Sequence, residues 1–358
     1  MKILVFHHGD DGLGHSTRIA ILARNLTDAG HQCLVVTSHR KIHLVLPADI
    51  HHVRLPTQQA KGADSSASKT PDLAKMPHRK IRLLRESILS AIFASFSPDI
   101  AIVDYRPFGQ KEELKPFIRS LECRWFLLLR PVILSSTHSG FLEDELSDPL
   151  MDRFAGILIA GEKSIIDTES IHPYLSKHAR KLIYCGFVLN PFDEYRSIEL
   201  RNKTLGDRFL NWCVISGGTS VQHNIHLSEI VRQVEQALPH SWRIDVVWGQ
   251  LPDEPAEPNA GNVFHRRNVE MLYEWHHSCD LLVTPGGSNT IYEGCTGRAA
   301  TIPVLAADDG EIGILASLLH KHKLIAQPAS IDDLKSRIGV VIQAPKAKDA
   351  ATYSALTD

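Results

Sequence analysis

The chain has 358 residues, of which 43% are hydrophobic and 22% are charged, and its formal net charge is −2. This composition is typical of a soluble globular protein with room for two domains, and the small charge argues against a nucleic-acid binder. No apolar run approaches the roughly 18–20 residues that span a bilayer, and the opening segment lacks an apolar signal region. Six scattered cysteines without a CxxC pair predict reduced thiols in a cytoplasmic protein.

Short apolar runs alternate with helical patterns through the first half of the chain. Predicted strands lie at 3–6, 32–37, 99–104, 125–129, 156–160 and 181–185. After the first strand, Ile19, Leu22, Ala23 and Leu26 form the apolar stripe of a helix, which Gly30 ends. The strand runs are continuous rather than alternating, as expected for parallel strands covered on both faces. This order predicts a doubly wound α/β sheet.

A second α/β series follows the Gly/Asn/Pro-marked segment 186–196, which is typical of an interdomain linker. Its predicted strands lie at 212–216, 244–248, 280–284 and 300–304, and a helix carries Leu227, Ile230, Val231 and Val234 on one face. We therefore expect an N-terminal domain at 1–190, a C-terminal domain at 191–343 and a polar tail at 344–358.

The segment HHGDDGLGHSTR, residues 7–18, follows the first predicted strand, where open α/β sheets bind ligands. Gly12 and Gly14 would let the backbone approach a ligand, and His15 has a side chain suited to general-base work near neutral pH. The alternative is that His15 only caps the helix. Asp11, like Asp10, could orient His15 or bind a cationic acceptor, or it could be a solvated turn residue.

The segment TPGGSNTIYE, residues 284–293, joins a strand to a helix through two glycines. The amides at such a helix start, with the Ser288 and Thr290 hydroxyls, form an anion site suited to a diphosphate, and Glu293 is placed to accept hydrogen bonds from a ribose diol. A routine glycine turn with a serine cap is the alternative. It leaves unexplained a second glycine turn, SGGTS at 216–220, after the first strand of the same domain.

Together, GLGHSTR, SGGTS and TPGGSNTIYE resemble the motifs of MurG-type GT-B glycosyltransferases, in particular the relatives with a GxGHxxR turn. The resemblance implies the GT-B fold, with two Rossmann-like doubly wound domains facing across a cleft. It implies that the N-terminal domain binds the acceptor and the C-terminal domain a nucleotide-sugar, usually UDP-linked. It further implies inverting transfer to an acceptor hydroxyl without a metal or another cofactor.

Carried over by position, the resemblance assigns roles to individual residues. His15 would be the base and Glu293 would hold the ribose. The diphosphate would contact Gly217, Gly218, Thr219, Gly287, Ser288, Asn289 and Thr290. Where the family often has an amide pair, this chain has AADDGEIG at 306–313, so Asp309 and Glu311 would meet the donor sugar, repel a carboxylated sugar and could prefer an amino sugar. His138 is an acceptor-side candidate.

Several alternatives stay open at this point. A hydrolase of nucleotide-sugars, a UDP-sugar 2-epimerase or a non-catalytic nucleotide-sugar-binding protein would share the fold. The acceptor could be a small molecule or lipid-linked, since 77–87 predicts a basic amphipathic helix, although a solvated helix face is the favoured interpretation over membrane contact. The absence of an Asp-x-Asp pair and of zinc-ligand spacing predicts that no metal is used.

Overall fold

The computed structural model describes most of the chain. The described ranges are 1–9, 13–40, 42–56, 77–110, 112–133, 139–217, 226–249, 259–267, 269–306 and 310–343. The chain divides into two compact units, and each is described by itself. The first unit is Met1–Pro131, Ser136–Ala160 and Thr168–Cys185, and the second is Val132–Ser135, Gly161–Asp167 and Gly186–Asp358.

The first unit is built on a parallel seven-stranded sheet in the order β3-β2-β1-β4-β5-β6-β7. Its strands are β1 Lys2–His7, β2 Gln32–Thr37, β3 His51–Arg54, β4 Ile100–Asp104, β5 Arg124–Leu129, β6 Phe154–Ile159 and β7 Leu182–Tyr184. The strand order reverses between β1 and β4, so the ends of these two strands form the switch point at which such sheets bind ligands. His7 and Asp104 are register partners there.

The second unit is built on a parallel five-stranded sheet in the order β10-β9-β8-β11-β12. Its strands are β8 Asn211–Ser216, β9 Trp242–Val247, β10 Val263–Arg266, β11 Leu281–Thr284 and β12 Ala300–Pro303. Alternate residues of β8 enter cores on opposite faces: Cys213 and Ile215 pack on one side, Trp212 and Val214 on the other. Both sheets confirm the predicted doubly wound class.

The described α-helices connect these strands. They are α1 Leu13–Asp28, α2 His78–Phe96, α3 Lys115–Ser120, α4 Ser139–Leu146, α5 Thr168–Ile171, α6 Glu194–Leu205, α7 Leu227–Ala237, α8 Leu272–Ser278, α9 Ser288–Thr296, α10 Gly310–Lys321 and α11 Leu334–Gln343. Short 3₁₀ turns occupy Ile42–Leu44, Pro149–Arg153 and Pro173–Lys181. In the described ranges, no helix has the length and apolar character that crossing a membrane requires.

Sequence patterns located ten of the described strands but not β3 and β10, each of which lies at one edge of its sheet. β3 and β10 have the sequences HHVR and VFHR, and most of their residues are exposed or half-buried. Neither sequence contains the continuous apolar run by which the other strands are predicted, and mostly exposed or half-buried faces at a sheet edge do not require one.

The basic amphipathic pattern at 77–87 is part of α2, but one of its arginines does not lie on a solvated face. Arg85 is 1% exposed. Its Nε donates to Glu113 Oε1 at 2.9 Å, and its Nη1 donates to the Pro56 carbonyl oxygen at 2.9 Å. The expectation of a fully solvated basic face is therefore wrong for Arg85, because a buried carboxylate receives it.

Candidate functional site

A histidine–aspartate pair stands at the switch point of the first sheet. His15 lies in the first turn of α1, and Asp104 is the last residue of β4. His15 Nδ1 is 2.8 Å from Asp104 Oδ2, and the two side chains are 17% and 0% exposed. One strand end and one helix start thus hold an imidazole against a fully buried carboxylate.

Arg18, one helical turn after His15, completes this group. Its guanidinium donates to Asp104 Oδ1, and its Nη2 lies 3.0 Å from His15 Nδ1. Burial alone would raise the pKa of Asp104, but Arg18 and then His15 hold it well below its usual range. An ionised carboxylate can only accept, so the contact with Asp104 places the His15 proton on Nδ1 and leaves Nε2 unprotonated. Arg18 Nη2, also a donor, then lies beside that N–H without a hydrogen bond to it.

The pKa of His15 is lowered from 6.5, chiefly by burial, with Arg18 acting in the same direction and Asp104 opposing it. The imidazole is therefore neutral at pH 7. A neutral imidazole whose Nδ1–H is fixed by a carboxylate is arranged to take a proton at Nε2. The cation that then forms would be stabilised by Asp104.

Two further residues lie close to His15 and distinguish this place from an ordinary helix start. Tyr105 follows Asp104 with a φ of 65°, a left-handed conformation that non-glycine residues adopt at a cost and that clusters at functional sites. Its ring centroid is 5.6 Å from that of His15. His7 is fully buried; its Nδ1 lies 3.0 Å from Thr37 Oγ1, and burial lowers its pKa to about 3.

Among the described residues, His7, His15 and Asp104 form a group of donors that could hold a metal ion, since one donor atom from each lies within 4.8 Å of the others. However, the Arg18 guanidinium already supplies positive charge to Asp104. A divalent ion would have to compete with that ion pair, so the donor set fits a proton-transfer group better than a metal centre.

In the second unit, a helix start follows β11 at the switch point of that sheet. Gly286 and Gly287 have φ values of 122° and 135°, which only glycine adopts readily, and α9 begins directly after them at Ser288. Gly287 O accepts from Ile291 N at 3.1 Å. The first N–H groups of an α-helix have no acceptor within the helix, so a helix start in this place is suited to an anion.

The helix α9 lies unusually close to the sheet. A Cβ added at Gly294 would come within 2.3 Å of Thr301 Oγ1 and 2.9 Å of Leu282 Cδ2. Glycine at this position therefore permits the close contact, which holds the helix start at a defined place beside β11 and β12.

Glu293 and Ser216 are joined through a histidine that the sequence patterns did not single out. His276, on α8, has Nδ1 2.7 Å from Glu293 Oε2 and Nε2 2.9 Å from Ser216 Oγ. The side chains of His276 and Glu293 are 2% and 7% exposed, and Ser216 is 1% exposed. This chain of contacts, the Ser216–His276–Glu293 relay, connects the end of β8 with the first turns of α9.

The remaining sequence-predicted site residues are placed as follows. Gly14 is exposed in the first turn of α1, with open space around its Cβ direction. Gly217 follows β8 and donates from N to the Val247 carbonyl oxygen at 2.8 Å. Glu311 lies in the first turn of α10. Outside the described residues lie Asp11, Gly12, His138, Gly218, Thr219 and Asp309.

Asp104, Arg18 and His276 are the functional candidates that sequence reasoning missed. Two of them carried a signal. Asp104 is the polar end of the buried run DIAIVD, and Arg18 is three residues after His15, the spacing of neighbours on one helix face. His276 had no comparable signal among the chain's 20 histidines.

Comparison with known proteins gives similarity at the level of structure. The sequence matches no protein-family model and no curated protein. The solved structure of the spinosyn forosaminyltransferase SpnP is 16% identical, with a TM-score of 0.61 over 100% of this chain and 94% of that one. LpCGTa in complex with UDP is 13% identical, with a TM-score of 0.60 and coverage of 99% and 92%. MurG from Acinetobacter baumannii is 12% identical, with a TM-score of 0.55 and coverage of 99% and 93%.

These similarities confirm the predicted fold class: the chain has the GT-B, two-domain Rossmann-like fold of glycosyltransferases. They do not distinguish the MurG type, because other glycosyltransferases match as well or better. The MurG subgroup stays a prediction.

Proposed function

We propose that the chain is an inverting, metal-independent glycosyltransferase that moves a sugar from a nucleoside-diphosphate donor, UDP-linked, to an acceptor hydroxyl. The observation that carries the proposal is the contact between His15 Nδ1 and Asp104 Oδ2 at the switch point of the first sheet. The GT-B fold supports this interpretation, because the similar solved structures are glycosyltransferases. Among glycosyltransferases, the sequence motifs favour the MurG type with a GxGHxxR turn.

His15 is the base in this mechanism. Its Nε2 takes the proton of the acceptor hydroxyl, and Asp104 stabilises the resulting imidazolium. The acceptor oxygen forms a bond to the anomeric carbon while the bond from that carbon to the diphosphate oxygen breaks, which inverts the configuration. A base of this kind contributes typically 10²–10⁴-fold to rate.

The second unit supplies the donor site. The amides at 288–290, with the hydroxyls of Ser288 and Thr290, would bind the diphosphate, and their fixed dipoles would stabilise the negative charge that develops on the leaving group. Arg18 neutralises the charge of Asp104, and the helix start would stabilise the charge of the diphosphate. Neither anion therefore needs a divalent ion beside it. Glu293 would hold the ribose, and Glu311 with Asp309 would meet hydroxyl groups of the donor sugar.

A thermal-shift screen across UDP-, GDP- and dTDP-sugars identifies the donor, because a ligand that binds the native state raises the apparent stability. With that donor, His15→Ala is expected to lose transfer and keep donor binding, whereas Glu293→Ala is expected to weaken donor binding. Addition of EDTA should leave turnover unchanged. Unchanged turnover in His15→Ala would remove the base assignment.

Hydrolysis of the nucleotide-sugar is the second candidate, because a base at His15 could equally activate water. Release of free sugar without an acceptor, at a rate that no acceptor changes, would favour the hydrolase. Donor binding without either reaction would favour a non-catalytic binding protein.

The proposal includes a cytoplasmic location. All six cysteines are free thiols, and three of them are buried, which supports a reducing compartment.

A further inference from the structure

The Ser216–His276–Glu293 relay joins the two segments at which the sequence predicts a diphosphate and a ribose. Ser216 ends β8 immediately before Gly217, and Glu293 lies in the second turn of α9, which begins after Gly287. His276 bridges them with contacts of 2.9 Å and 2.7 Å. One imidazole thus fixes both segments that flank the switch point of the second sheet.

The direction of the hydrogen bonds follows from the carboxylate. Glu293 can only accept when ionised, so His276 Nδ1 donates to Oε2. In the neutral imidazole Nε2 is then an acceptor, and the Ser216 hydroxyl donates to it. Both polar atoms of His276 are used, and neither remains for a ligand.

This polarity is that of a serine–histidine–acid triad, but burial excludes a nucleophilic role for it. Ser216 is 1% exposed and its hydroxyl proton is committed to His276. By contrast, the Glu293 side chain keeps 7% of its surface exposed, and it contacts His276 through Oε2. Glu293 is therefore the most exposed member of the relay, although it too is buried.

We propose that His276 is a positioning residue that holds Glu293 in the rotamer that recognises the ribose hydroxyls of the nucleotide, and that it thereby sets the preference of the site for ribonucleotides over 2′-deoxyribonucleotides. This inference rests on the proposed function. A carboxylate in a buried setting costs free energy unless it has a partner. Without the Nδ1–H, Glu293 would turn toward solvent or other donors and lose its orientation toward the diol.

The chain offers substitutions that separate the two contacts of the imidazole. His276→Asn places an amide donor near the position of Nδ1 and removes the contact to Ser216. His276→Gln places its amide near the position of Nε2 and removes the donor to Glu293. His277→Gln is the matched control, because His277 is also buried, beside His276 in the chain, and its Nε2 contacts Thr296 Oγ1 at 3.1 Å.

The experiment measures binding of UDP against dUDP, and of GDP against dGDP, by calorimetry for the wild type and the three variants. The wild type is expected to prefer the ribonucleotide by about 10- to 100-fold, the value of a hydrogen bond to a charged group. His276→Gln should reduce that ratio to near one, while His276→Asn and His277→Gln keep most of it. A structural role alone would weaken both members of a pair equally and leave the ratio unchanged.

The outcomes distinguish this inference from the proposed function. If the wild type binds none of the four nucleotides, the proposed function fails. If it binds them and the ratio persists in His276→Gln, the positioning role is overturned while the proposed function stands. Thermal unfolding of each variant without ligand identifies any variant that fails to fold. If His276→Gln is that variant, the contact between His276 and Glu293 is removed from the other side in Glu293→Gln, which should lower the same ratio.

Discussion

Asp104 Oδ2 lies 2.8 Å from His15 Nδ1, although 89 residues separate the two along the chain. Their contact depends on the parallel pairing of β1 with β4, which places His7 opposite Asp104 and so brings the end of β4 beside the start of α1. Because Asp104 also binds Arg18, the carboxylate is ionised and the His15 tautomer is defined.

Asp104→Asn should lower kcat by about two to four orders of magnitude, because an amide at this position can no longer define which nitrogen of His15 carries the proton. Donor affinity should remain close to that of the wild type, which calorimetry measures. The matched control is Asp99→Asn, an exposed aspartate at the opposite end of β4 whose carboxylate accepts from Lys2 N. Equal turnover in Asp104→Asn and the control would contradict the role of the pair.

The acid limb of the pH–rate profile should lie below pH 6.5, because burial lowers the pKa of His15. Arg18 lowers that pKa further, so Arg18→Gln should move the limb to higher pH. Asp104 raises it, so the residual activity of Asp104→Asn should have its limb at lower pH. Profiles of kcat/KM against pH for the three proteins test the two opposite shifts; shifts of the same sign would show that another group titrates.

Folding stability should fall as the pH drops below 6.5, because His7 is buried and its pKa is about 3 in the folded state. The unfolded chain then binds a proton that the folded chain does not, which costs about 1.4 kcal/mol per pH unit for each such histidine. His172, with a pKa of about 4, acts in the same direction. Urea unfolding at several pH values between 6 and 4.5 gives the unfolding free energy as a function of pH. That free energy should fall less steeply with decreasing pH in His7→Gln than in the wild type, and as steeply as in the wild type in His51→Gln, on the exposed edge strand.

The fold could be predicted largely from the sequence because its central strands are covered on both faces and therefore apolar throughout. The runs QCLVVT and DIAIVD illustrate this, since their strands begin and end within one residue of the predicted ranges. The edge strand His51–Arg54 carries no such run, because most of its residues are exposed to solvent and need not be apolar.

The candidate site was predictable only in part, and the limit is physical. His15 and the α9 helix start belong to local motifs, so they could be found from residues next to one another in the chain. Asp104 and His276 act through pairings across 89 and 17 residues, and such contacts depend on strand order and helix packing rather than on local spacing. A pattern of neighbours contains no information on which distant polar group will meet them.

Arg85→Met should destabilise the folded protein by about 3–5 kcal/mol, because it leaves the fully buried Glu113 carboxylate without its cation. The double variant Arg85→Met/Glu113→Leu should recover much of that loss, since both charges are then removed. Arg82→Met is the control: its pair with Glu86 is partly exposed, and such pairs contribute below about 1 kcal/mol. Urea unfolding at pH 7 measures all three; equal effects of Arg85→Met and Arg82→Met would contradict the buried pair.

Gly294→Ala should cost about 1–3 kcal/mol, because the new methyl group overlaps Thr301 Oγ1 at 2.3 Å and Leu282 Cδ2 at 2.9 Å and forces α9 away from the sheet. Donor affinity should fall with it, since the helix start at Ser288 moves with the helix. Adding Thr301→Ala removes the nearest atoms, so the double variant should be less destabilised than the sum of its single changes.

Gly339→Ala in α11 is the matched control, because a Cβ at this position meets open space. Alanine loses less backbone entropy on folding than glycine does, so this change should stabilise the protein by about 0.5–1 kcal/mol. Opposite signs for these two helical glycines in urea unfolding, with lower UDP affinity only in Gly294→Ala, are the expected result, and a shared sign would contradict the close contact between α9 and β12.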